Sequence, residues 1–122
     1  MLTLPLNQST RGLIGAAELA RMKPNSTLVN VSRGQLVDTN ALVEALRNGP
    51  LGRAALDVTD PEPLPAAHPL ARLENCLVIP HLGSASKKTR LAMADLAVDN
   101  LLAGLAGERL AACANPEVYR GV

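Results

Sequence analysis

Three short apolar segments, separated by stretches with helical spacing, constrain the fold of this chain more than any other feature. They are "STLVNVS" (26–32), "GRAALDV" (52–58) and "CLVIP" (76–80). Strands buried on both faces read as near-continuous apolar runs, and they belong to parallel sheets whose crossovers are usually helices. Thr27, Val29 and Val31 add the alternation of β-branched residues that strands favour. The spacing predicts a helix over "DTNALVEALRNG" (38–49). Leu42, Val43 and Leu46 share a face there, Asp38 or Thr39 caps the start, and Gly49 stops it. "MLTLPL" is a further strand candidate, and "GAAELARMK" (15–23) a short helix. "SASKKTRLAMADLAVDNLLAGLAG" (84–107) reads as a long helix capped by Ser84 or Ser86 and ended by Gly104 or Gly107. Leu91, Ala94, Val98, Leu101 and Leu102 fall near one of its faces. The expected class is α/β, a parallel sheet with covering helices.

Composition narrows the function. The 122 residues include one Tyr, no Phe and no Trp, and carry a formal charge of +1. Without stacking side chains or a basic stripe, nucleic acid is not an expected partner. The N-terminus lacks a basic region followed by a long apolar stretch, and the apolar runs fall short of the ~20 residues that cross a membrane. No membrane association and a cytoplasmic location are expected. Cys76 and Cys113 are too few and too far apart for a disulfide framework or a zinc site, and Cys76 reads as a buried free thiol.

In parallel α/β sheets the working residues gather beyond the carboxyl ends of the strands. That rule selects Arg33 after "LVNVS", Asp57 and Glu62 after "RAAL", and His81 after "LVIP". A guanidinium grips a carboxylate through a planar fork. A histidine moves a proton near neutral pH, and a carboxylate on its second nitrogen favours the protonated form. Together they suit reduction of an anionic carbonyl compound, with the oxygen protonated as a hydride arrives from elsewhere. Each residue also has a plainer reading: Arg33 as a strand-end ion-pair partner, Glu62 as a solvated turn, His81 as a structural histidine. His68, ahead of Pro69 in a connecting loop, has the weaker case for a site. "GLIG" (12–15) is too short to cradle a phosphate and reads as a turn, and Lys87, Lys88 and Arg90 read as a solvated helix face.

The series "PLNQSTRGLIG", "LVNVSRGQLVDTNALVEAL", "ALDVTDPEPLP", "HPL", "NCLVIPHLGSAS" and "NLLAGLAGE" resembles, in order, the second half of a D-isomer-specific 2-hydroxyacid dehydrogenase. Within that family "DVTDPEPLPAAHPL" followed by "PHLGSAS" is most similar to the glyoxylate reductase/hydroxypyruvate reductase branch. The resemblance implies NAD(P)H as cofactor, a small 2-oxo or 2-hydroxy acid as substrate, and a homodimeric parent protein. It implies that Arg33, in "N-x-x-R-G", binds the substrate's carboxylate and carbonyl. His81 in "P-H-x-G" donates the proton, and Glu62 hydrogen-bonds His81. Asp57, Pro5 and Val31 fall at cofactor positions, and Gly83 and Ser84 form the turn beside nicotinamide and substrate. Similar formate dehydrogenases carry Gln at the position of Glu62, which argues against formate.

The resemblance also sets an expected organisation. Residues 1–110 would be the C-terminal part of a Rossmann-like NAD(P)-binding domain lacking its Gly-rich first half, and residues 111–122 a tail. No G-x-G-x-x-G occurs in the sequence, so the phosphate cradle of such domains and the separate substrate domain are both missing. The chain reads as a fragment beginning at the fourth strand of a 3-2-1-4-5-6 sheet, with "LTLPL" as an open edge. Weak cofactor binding and negligible turnover are expected of it alone. The alternatives are a truncated, inactive isoform or an interaction module similar to the C-terminal binding proteins, co-repressors that keep the same Arg, Glu and His.

Overall fold

The computed structural model describes residues 1–121. They form two compact units that meet in sequence at Gly83 and Ser84.

The first unit holds a three-stranded sheet in the order β1 (Thr27–Asn30), β2 (Arg53–Leu56), β3 (Cys76–Val78). Both neighbouring pairs are parallel, with Leu28 opposite Ala54 and Leu56 opposite Val78. Within β1 and β2 the buried positions alternate, so Leu28, Asn30, Ala54 and Leu56 point to one side. On that side they share a core with Leu42, Val43, Ala45 and Leu46, the inner stripe of the β1–β2 crossover helix α2 (Thr39–Asn48). Asp38 is the cap, accepting from the Ala41 amide at 3.0 Å. Leu36 and Val37, just before the helix, are buried in the same core. The order strand, strand-end turn, capped helix, strand therefore follows from the apolar pattern, and every turn that follows a strand lies on one edge of the sheet.

Two expectations are corrected here. "MLTLPL" is not a strand: Leu2 alone bridges Asn30 in parallel fashion beside β1, where its amide donates to Val29 at 2.8 Å. Pro5 has no amide to extend that ladder. The helix expected over 15–23 is shorter, α1 (Ala16–Ala20), capped by the Glu18 carboxylate on the Gly15 amide at 3.0 Å. Pro24 disfavours helical backbone at Lys23 and ends it early.

The second unit is built on α3 (Lys87–Leu105), with Ser86 as its cap. Gly107, at φ +74°, follows the last turn in the left-handed backbone that only glycine adopts freely. Leu91, Val98, Leu101 and Leu102 keep to one face of this helix, as their spacing implied, but Met93 and Leu96 lie on the other side, and all six are exposed. Among the described residues no helix is long and apolar enough to cross a membrane.

Candidate active site

Three turns meet at the carboxyl edge of the sheet, and each is shaped by a residue at the end of its strand. After β1, the fully buried side chain of Asn30 donates to the Arg33 carbonyl at 2.9 Å and accepts from the Ser32 amide at 3.1 Å. This fixes the turn that presents Arg33. The Arg33 guanidinium is exposed and donates to the Ser32 carbonyl at 2.7 Å.

After β2, Asp57 is almost wholly buried, at 4 % exposure. Its carboxylate accepts from the Leu82 amide at 2.6 Å and the Gly83 amide at 2.9 Å, and its carbonyl accepts from the His81 amide at 3.0 Å. Asp57 thus grips the turn after β3 at three points. Held within that grip, His81 takes φ 53°, a left-handed conformation uncommon for a side-chain-bearing residue. Such backbone costs about 1–3 kcal/mol and persists only where its surroundings over-determine it.

Beyond Asp57 the chain turns to deliver Glu62. Its Oε1 lies 2.6 Å from His81 Nδ1, and its Oε2 accepts from the Thr59 amide at 3.4 Å. With the carboxylate on Nδ1, that nitrogen carries the proton facing Glu62 and Nε2 is left to meet a reactant. Both side chains stay partly open, 48% for His81 and 39% for Glu62. They line a cleft of ≈ 520 Å³ with Asp57 and Thr59 on one part of its wall and Leu64 and Val78 on another, a size that suits a small molecule. A half-open pocket with a carboxylate-oriented imidazole has the geometry that proton transfer needs, set here at the strand ends of a parallel sheet.

Residues 1–83 match the family model described as D-isomer specific 2-hydroxyacid dehydrogenase, NAD binding domain. The chain belongs to this family. Over 119 residues, 98% of its length, it is 50% identical to glyoxylate/hydroxypyruvate reductase B of Pectobacterium carotovorum, of which it covers 37%. It therefore spans little more than a third of the curated relatives it matches. A crystal structure of a Thermus thermophilus protein superposes with TM-score 0.87 and 53% identity, over 90% of this chain and 35% of that one. An NADPH-dependent glyoxylate/hydroxypyruvate reductase of Sinorhizobium meliloti, solved with NADP and malonate, gives TM-score 0.78 and 44% identity, over 83% and 31%.

Against the residues expected from the sequence of this dehydrogenase domain, the structure brings Asp57, Glu62 and His81 into one cleft. It leaves Arg33 outside that cleft's wall, at the end of the neighbouring strand with its head turned onto its own backbone. Asp57, expected beside the nicotinamide, has both oxygens engaged by the His81 turn. Val31 and Pro5 are exposed, Gly83 is held by Asp57, and Ser84 is exposed at the start of the second unit. His68 accepts from the Leu70 amide at 3.2 Å and caps the helical turn Pro69–Arg72, a structural task. The residues that sequence reasoning missed are Asn30, Thr39, Thr59 and Gly34. Asn30 and Gly34 stood in "N-x-x-R-G", but nothing in spacing alone showed what they touch.

Proposed function

We propose that this chain supplies the acid–base half of an NAD(P)H-dependent reductase acting on small 2-oxo acids of the glyoxylate and hydroxypyruvate type. The observation that carries the proposal is the 2.6 Å contact between Glu62 and His81 at the carboxyl edge of a 2-hydroxyacid dehydrogenase domain. His81 Nε2 gives its proton to the substrate's carbonyl oxygen in reduction and takes it back in oxidation. Glu62 fixes the ring's orientation through Nδ1. Arg33, swung off its backbone carbonyl, grips the substrate carboxylate with its planar fork. Asp57 sets the position of His81 through the turn it holds.

The residues present fit one end of a nicotinamide dinucleotide. Val31 offers exposed apolar surface at the end of β1, and Pro5 and Gly83 are exposed and uncharged. The chain has no G-x-G-x-x-G loop for the pyrophosphate, so these residues address the ring rather than the phosphates. When bound, the reduced nicotinamide supplies the hydride. The cytoplasm and a homodimeric full-length protein complete this reading.

Grafting the chain in place of the matching segment of the Pectobacterium reductase tests it. The chimera is expected to oxidise NADPH when glyoxylate or hydroxypyruvate is added, and His81→Gln to lower kcat by about 10²–10⁴-fold. A folded chimera without activity, or one indifferent to His81→Gln, would sink the assignment. The chain alone is expected to bind NADH and NADPH weakly in calorimetry.

A further inference from the structure

The turn that carries Arg33 and the loop that carries Glu62 touch at a place with no room for a side chain. Gly34 is buried, and a Cβ built on it would overlap the Thr59 carbonyl oxygen and carbon and lie 2.6 Å from the Asp60 nitrogen. Those neighbours are backbone, so nothing short of moving the loop would relieve the clash. Thr39, the first residue of α2, donates its hydroxyl to the Asp60 carbonyl at 2.8 Å. It therefore ties the next peptide of that loop, Asp60–Pro61, to the helix. Thr59 completes the loop, its hydroxyl on the Pro61 carbonyl at 2.8 Å and its amide facing Glu62.

We propose that Gly34 and Thr39 are positioning residues that hold the Glu62 loop against the Arg33 turn, so that one contact sets both the acid–base pair and the anion-binding arginine. This rests on the function proposed above for that pair. The Arg33 turn cannot absorb a displacement at Gly34, because Asn30 pins it from both sides with its buried amide. The Glu62 loop must then move instead. Its 2.6 Å contact to His81 joins two residues 19 apart in sequence and is directional, so it is the first interaction to fail. Thr39 acts on the adjoining peptide of that loop from the start of α2, and its effect should follow its hydroxyl.

The test is the His81 ring nitrogen signal in the ¹⁵N-labelled full chain, assigned by comparison with His68→Gln. Thr39→Val and Gly34→Ala are expected to move the His81 Nδ1 resonance towards its position in Glu62→Ala. Thr39→Ser, which keeps the hydroxyl, should leave it at the wild-type position. A folded Thr39→Val with a wild-type His81 signal overturns the proposal. So does a Thr39→Ser signal displaced as far as that of Thr39→Val, or a folded Gly34→Ala with no displacement. If Gly34→Ala does not fold, the two Thr39 variants decide. The measurement needs neither cofactor nor substrate, so an inactive chimera would count against the reductase reading and leave this result standing.

Discussion

The Glu62 carboxylate lies 2.6 Å from His81 Nδ1 although the two residues are 19 apart in sequence, and different turns of the sheet edge carry them. The pair is only partly buried, so water screens it and its contribution to stability is small. Its consequence is orientation: the ring is held with Nε2 free.

Glu62→Gln keeps the shape of the loop and removes the charge. In the chimera it is expected to lower kcat by roughly 10–100-fold while leaving the KM for glyoxylate within about threefold, since a proton donor acts in the transition state. Steady-state kinetics on the chimera and its Glu62→Gln variant checks the split. A rise in KM at constant kcat would show that Glu62 serves binding rather than proton transfer.

Asp57 is the residue on which the His81 turn hangs. Replacing it by Ala leaves the Leu82 and Gly83 amides without acceptors. Leu82 and Gly83 are exposed, so water replaces much of the lost bonding and each costs about the 0.5–1.5 kcal/mol of a net hydrogen bond. Asp57→Asn keeps one acceptor and turns an amide NH₂ towards a backbone donor, so it is expected to rescue little. Thermal unfolding of both variants should show a lowered Tm, and loss of the His81–Glu62 signal should accompany it. A Tm equal to wild type in both would mean the turn is held by other contacts.

The parts of this molecule that were legible in the sequence are those governed by local pattern. β1, β2 and α2 follow from apolar runs and a 3.6-residue stripe, and parallel topology alone placed Asp57, Glu62 and His81 at one edge. What was not legible depends on partners distant in sequence. "MLTLPL" has a strand's composition, but only Leu2 finds a ladder partner. Ser84 and Ser86 are equally competent caps, and only backbone geometry selects Ser86. The direction of Arg33 is set by a carbonyl next door, and a long flexible side chain leaves no trace of such a choice in spacing. Gly34 is the sharpest case, because its reason for being glycine is the Thr59–Asp60 backbone.

Leu36 sits between the Arg33 turn and α2 with no exposed surface. Leu36→Ala is expected to destabilise the first unit by about 2–5 kcal/mol, the usual range for a truncated core leucine. Leu77, on β3, is 60% exposed, and Leu77→Ala is expected to fall within ~0.5 kcal/mol of wild type. Urea unfolding of the pair tests whether the core lies on the α2 side of the sheet. Equal losses would contradict that placement.

Cys76 gives a prediction in pH. Burial in β3 pushes its thiol up from 9.0 to about 11, because desolvation disfavours the thiolate. The folded chain therefore binds this proton more tightly than the unfolded chain. The contribution is fully present below pH 9.0 and is lost as pH rises through about 11. In a Cys113→Ser background, where Cys76 is the sole thiol, iodoacetamide labelling at pH 8 is expected to be at least about tenfold slower in the folded chain than in urea, since the thiolate is the nucleophile. Raising the pH towards 11 should narrow that gap, as the folded thiol begins to ionise and the stability it lent is withdrawn. Equal labelling rates at pH 8 with and without urea would show a solvated thiol, and Cys76 would then have to face away from the core it is assigned to.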